Sequence, residues 1–228
     1  MASTLGGKQF WADVWFFRSW RIQRNAISGG YRLLDEKNRR HASGTFDACR
    51  EACEGLRAKG DWEPMRGEAV VVLHGLFRTR SSMGPMCRYL QQEGGYLVFN
   101  VGYPSTRGTV GDHARDLARV IDSLEGVEMI HFVAHSLGNL VIRHWMADQQ
   151  ARPGGLRTDS KSTQGLPHVR KTTSSDGVAV PALNHVPLGR MVMLGPPNQG
   201  ARLAERLIPI DWTGQITGPA AGQLATGW

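Results

Sequence analysis

Cysteine is scarce in this chain of 228 residues. Cys49, Cys53 and Cys87 are odd in number and form neither a C-x-x-C pair nor a zinc-spaced set with histidine. That argues against a disulfide framework or a structural metal and points to a reducing, cytoplasmic compartment. Long apolar runs are missing too, and nothing approaches the ~18 residues that a membrane-spanning helix needs. The opening stretch, "MASTLGGKQFWADVWFFRSWRIQRN", is aromatic but interrupted by Asp13 and Arg18, without a small-residue cleavage site. It reads as neither a signal peptide nor a span. Acidic residues are outnumbered, 20 against 27 Lys and Arg, for a formal charge of +7. Residues 1–60 carry 11 of the basic and 6 of the acidic side chains. A basic surface attracts phosphates, yet no nucleic-acid motif accompanies it, so a solvated surface and no nucleic-acid partner are expected.

What is present divides at about residue 66. Residues 1–66 read as an N-terminal appendage. "WRIQRNAISGGYRLLD" predicts a hairpin turning at Gly29 and Gly30, and "TFDACREACEGLRAKG" predicts a helix with Phe46, Cys49, Cys53 and Leu56 on one face. The aromatic cluster Phe10, Trp11, Trp15, Phe16, Phe17 and Trp20 suits either peripheral contact with a lipid surface or, more plainly, packing against the main domain.

Residues 67–228 change rhythm. "EAVVVLHG", "YLVFNVGYP", "EMIHFVAHS" and "RMVMLGPP" are apolar without alternation, as parallel strands covered on both faces should be. Strands are expected from Ala69, Tyr96, Glu128 and Arg190, with helices near 82–93, 110–125 and 138–149. This alternation predicts an α/β fold with a mostly parallel sheet and flanking helices. Residues 151–188, rich in Gly, Pro, Ser and Thr, read as a long insertion, partly disordered or acting as a flap.

Catalytic groups in open parallel sheets gather beyond the carboxyl ends of the strands. Those ends carry His74-Gly75-Leu76, Tyr103-Pro104-Ser105, Ser136 and Pro196-Pro197-Asn198-Gln199-Gly200. Ala134-His135-Ser136-Leu137-Gly138, set between a strand and a helix, is a G-x-S-x-G nucleophile elbow with alanine in the first glycine position. Ser136 is the candidate nucleophile. The backbone N–H of Leu137, at a helix N-terminus, and that of Leu76, after Gly75, are the candidate oxyanion donors. His74 is read as support for its loop and His135 as packing at the elbow.

"VVLHGLFRTRSSM", "VGYPSTRG", "HFVAHSLGNLVIR" and "VMLGPPNQG", in this order, resemble lipase/esterase-like members of the α/β-hydrolase superfamily over about residues 68–205. The resemblance implies hydrolysis of small-molecule esters or lipids through an acyl-enzyme on Ser136, with Leu76 and Leu137 as donors and without metal or organic cofactor. Thioesterase and acyltransferase activities share these motifs.

The superfamily order of serine, acid, histidine is not completed. The stretch after Pro197 contains no histidine, and its one aspartate, Asp211, reads as a surface residue. His144 lies ~12 Å along the elbow helix from Ser136. His168 and His185 belong to the insertion, which is not expected to deliver a base. Three readings follow: a serine hydrolase whose chain is C-terminally incomplete, which is the expectation; a non-catalytic interaction protein of the same fold; and an enzyme recruiting its base from the insertion.

Overall fold

The computed structural model describes residues 7–60, 62–151 and 186–197. The insertion between 152 and 185, with His168 and His185, lies outside the described residues, as do Asn198-Gln199-Gly200 and Asp211.

Two sheets share one core. The first is an antiparallel meander, β1 (Trp11–Phe17), β2 (Trp20–Asn25), β3 (Tyr31–Leu34) and β4 (Arg40–Gly44), hydrogen-bonded in that order. The expected hairpin is β2–β3. Gly29 turns it at φ 71°, a conformation that a Cβ would oppose, while the Asn25 side-chain oxygen accepts from the N–H groups of Ile27 and Ser28. Helix α1 (Phe46–Gly60) follows and buries Cys49 and Cys53. β1 and β4 enlarge the appendage beyond the expected hairpin and helix.

The second sheet is parallel, in the order β6 (Leu97–Val101), β5 (Gly67–Leu73), β7 (Val127–His135), β8 (Leu188–Leu194). Each strand begins within two residues of its expected start. Its helices are α2 (Gly84–Gln92), after a 3-10 turn at Arg80–Met83, then α3 (Val110–Asp122) and α4 (Leu137–Ala151). Thr109 and Asp112 start α3 with a reciprocal capping box.

Alternate residues of β5 explain the lack of polar breaks. Val70 and Val72, with Val133 of β7, pack on Met83, Cys87 and Leu90. Ala69, Val71 and Leu73 face the other way, into a core shared with Leu117, Val120, Leu140 and Trp145 of α3 and α4. The strand order reverses between β5 and β7, the switch point beyond which open α/β sheets open a crevice.

The meander docks onto this unit through Trp15, Phe16 and Phe17, all buried. Phe16 meets Phe99 edge-on at 5.6 Å and its N–H donates to Ser123 Oγ. Arg24 grips Asp116 of α3 with both carboxylate oxygens at 3.1 and 2.9 Å. The N–H of Asp13 donates to the Gly102 carbonyl while its carboxylate accepts from the Gly102 N–H. The aromatic N-terminal residues thus pack largely inward. All three cysteines are free and buried, and no described helix is long and apolar enough to cross a membrane.

Candidate active site at the strand ends

Ser136 stands between the last residue of β7 and the first of α4 with φ 49°. The left-handed region costs a non-glycine residue roughly 1–2 kcal/mol, so its surroundings must hold it there. Its N–H donates to the carbonyl of Leu194, the last residue of β8, at 2.9 Å. Its carbonyl accepts from both the backbone N–H and the side-chain amide of Asn139, at 3.0 and 3.1 Å. Asn139 is fully buried and also reaches the Leu194 carbonyl. Sequence reasoning passed over Asn139, although an amide in the first turn after the serine, amid apolar residues, marks a polar group with a backbone partner.

The small residues of the elbow have individual reasons. A Cβ on Gly138 would lie 2.9 Å from Leu73 Cβ and 3.0 Å from the His74 carbonyl oxygen, so α4 passes β5 too closely for any side chain there. Ala134, at 0% exposure, is flanked in the sheet by Leu73 and Met193. A Cβ on Gly75 would lie 2.5 Å from His135 Nδ1 and 3.2 Å from Ser136 Cβ. The β5 loop is therefore laid directly against the nucleophile candidate, with His135, itself exposed, filling the space beside it.

The loop after β5 folds back at once. Arg78 N–H donates to the Gly75 carbonyl, and Phe77 takes φ 56° while 42% exposed. A bulky aromatic in this conformation is a genuine outlier, of the kind that gathers at functional sites. No sequence signal marks it, since phenylalanine disfavours the left-handed region.

His74 anchors the loop from beneath. Fully buried, it stacks on Tyr103 at 4.4 Å, and the Tyr103 hydroxyl donates to the His74 carbonyl at 2.5 Å. Its Nδ1 lies 2.9 Å from the Gly75 carbonyl, and its Nε2 faces the Tyr103 N–H at 3.4 Å. These partners select the neutral tautomer protonated on Nδ1. Burial lowers its pKa in the same sense, so His74 is a strut for the loop after β5.

Apart from His135 beside Gly75, the other described histidines are engaged elsewhere. His131 contacts Glu68 and the Arg190 N–H, His144 faces Asp148, and His41 pairs with Asp35. His113 packs on Tyr103, and burial pushes its pKa down to about 4. Among the described residues none hydrogen-bonds to the Ser136 hydroxyl, and no group of three or more His, Cys, Asp or Glu could hold a metal ion. The structure thus brings Ser136, Leu137 and the Gly75–Leu76 loop together, but no described base joins them.

No protein-family model matches the chain, and no curated protein matches it. Among solved structures, a crystal structure of the lin2722 gene product of Listeria innocua is similar at 16% identity, with a TM-score of 0.33. The alignment covers 39% of this chain and 46% of that one, so the chain spans about half the length of the structure it matches.

Proposed function

We propose that the chain is a serine hydrolase of the α/β-hydrolase type, acting on carboxylic esters of small molecules or lipids. The observation that carries this reading is Ser136, a non-glycine residue at φ 49° on a strand-to-helix turn at the switch point of a parallel sheet. A serine is held in that conformation where its hydroxyl must project clear of both elements.

In this reading the Ser136 hydroxyl attacks the ester carbonyl, and the carbonyl oxygen becomes an oxyanion received by the N–H groups of Leu76 and Leu137. Collapse expels the alcohol, which takes up a proton, and leaves an acyl-enzyme. Water then adds to the acyl carbon and releases the acid with the serine restored. Gly75 and the His74–Tyr103 stack hold one donor in place, and Asn139 holds the turn that carries the other. The activating base and its acid come from outside the described residues. Thiol esters, or an alcohol acceptor in place of water, use the same machinery. Membrane contact would serve a lipid substrate.

The absence of a described partner for the Ser136 hydroxyl favours a second reading, a non-catalytic interaction protein built on the same fold. The test uses the protein as its gene encodes it, with p-nitrophenyl butyrate as substrate and a fluorophosphonate as covalent probe. Hydrolysis lost in Ser136→Ala, together with a phosphonylated Ser136 peptide, supports the hydrolase. Equal activity in Ser136→Ala removes the nucleophile assignment, and an inert, unlabelled protein supports the second reading.

A further inference from the structure

Beside His74 and Tyr103, the meander and the parallel sheet line a cavity of about 440 Å³. This is within the usual range of small-ligand pockets, roughly 300–1,000 Å³. Three arginines from three different segments line it, Arg21 of β2, Arg32 of β3 and Arg80 of the turn after β5. One carboxylate lies in ion-pair range. Asp13, fully buried, lies 3.3 Å from Arg21 Nε and 3.9 Å from Arg80 Nη1.

The pairing is incomplete. Arg21 is 2% exposed and its terminal nitrogens donate to the Asp35 carbonyl and the Asn38 side-chain oxygen, yet neither its Nε nor the buried Nη1 of Arg80 makes a well-aligned hydrogen bond among the described residues. The Asp13 oxygens are already committed to the Gln23 amide and the Gly102 N–H. Arg32 rests on the neutral Gln23 oxygen and over the Trp11 ring at 3.7 Å, with no carboxylate in ion-pair range among the described residues. By contrast, Arg24 Nη2 meets both oxygens of the Asp116 carboxylate, and Arg119 of α3 is also near it at 3.5 Å. That is a structural cluster. The cavity instead holds three buried or half-buried cations with one carboxylate, Asp13, in ion-pair range and the Asp35 carboxylate acting on Arg21 from farther off, a positive surplus that desolvation makes costly unless a ligand supplies the balance.

We propose that this cavity is a binding site for a dianionic phosphate group, held by Arg21, Arg32 and Arg80 with the hydroxyls of Thr79 and Ser81 at its rim. The negative charge of the phosphate offsets the surplus, and guanidinium forks suit tetrahedral oxyanions. Trp11 and Leu34 offer an apolar wall to a short organic part. His74 and Tyr103 form the floor, so an occupant would rest on the same stack that supports Gly75.

Calorimetric titration tests this with inorganic phosphate, glycerol phosphate and acetate, and co-sedimentation tests it with phosphatidylcholine vesicles with and without phosphatidic acid. Saturable phosphate binding that exceeds acetate binding, weakened about tenfold or more in Arg32→Gln and in Arg80→Gln, supports the site. Ser136→Ala and the exposed-surface control Arg115→Gln should bind as the unaltered protein does, which separates this site from the elbow and from net charge. Binding to soluble phosphates assigns a free phosphate ester, and binding to phosphatidic acid alone assigns a lipid headgroup. No binding to either, or undiminished binding in both arginine variants of native circular dichroism, overturns the proposal.

Discussion

Gly75 and Ser136 touch across the gap between β5 and β7, so closely that a methyl group on Gly75 would lie 3.2 Å from Ser136 Cβ. Nearer still, at 2.5 Å, is His135 Nδ1, the end of an exposed side chain that can turn away. Gly75→Ala should therefore fold, at a cost under about 1.5 kcal/mol. It should lower ester hydrolysis by roughly 10–100-fold by shifting the Leu76 donor. Removing the obstructing ring in Gly75→Ala/His135→Ala should restore part of the rate, a coupling readable in a double-mutant cycle.

Gly138→Ala should behave differently. Its added methyl meets the backbone of Leu73 and His74 as well as Leu73 Cβ, and none of these can rotate aside. Destabilisation of about 1–3 kcal/mol is expected, and urea unfolding monitored by tryptophan fluorescence measures it.

Strain at Ser136 predicts an unusual ordering of variants. In the proposed hydrolase both Ser136→Ala and Ser136→Gly should abolish hydrolysis, but only glycine relaxes the φ of 49°. Net of the greater freedom glycine brings to the unfolded chain, Ser136→Gly should be the more stable of the two by about 1 kcal/mol. Equal thermal midpoints would show that the turn carries no strain.

Acid should weaken the fold through His113. Burial holds its pKa at about 4, against 6.5 in the unfolded chain. Between these values the unfolded chain binds a proton that the folded chain refuses. Stability is therefore whole above pH 6.5, falls as the pH drops through the window, and levels off below it, by up to roughly 3 kcal/mol. His74, lowered by burial, acts in the same direction. Thermal midpoints from pH 7 to 4 should show a shallower decline in His113→Gln.

Asp13→Ala should be among the most damaging single changes. It strips the buried Arg21 of its carboxylate and the Gly102 N–H of its acceptor, at a cost of about 3–5 kcal/mol. Denaturant midpoints check this, with Asp13→Asn expected to fall between the two because an amide oxygen can still accept from Gly102.

The parallel sheet was legible because its strands are covered on both faces, leaving apolar runs such as "AVVVL" bounded by glycine and helical periods. The elbow was legible because its steric demands are written in small residues flanking Ser136. β1 was harder to read. "WADVWFF" is buried along nearly its whole length, so no alternation marks it, and its aspartate suggests a loop until Arg21, Gln23 and Gly102 are seen around it. β4, "RHASG", is an exposed edge with no apolar signal. The arginine-lined cavity was invisible because only the docking of the meander brings Arg80, in the turn after β5, to Arg21 and Arg32 of β2 and β3.

The Asp13–Gly102 contact spans 89 positions of sequence, whereas the meander that presents Asp13 is built from neighbours in the chain. Local antiparallel pairings close small loops and form early, and parallel strands joined by crossover helices form late. On the ribosome the meander is complete before β6 has been made. It then offers Asp13 and the Phe16 ring as a ready surface on which the end of β6 and the later helix α3 can settle. Pulsed hydrogen exchange should find the amides of β2 and β3 protected ahead of those of β5 and β7.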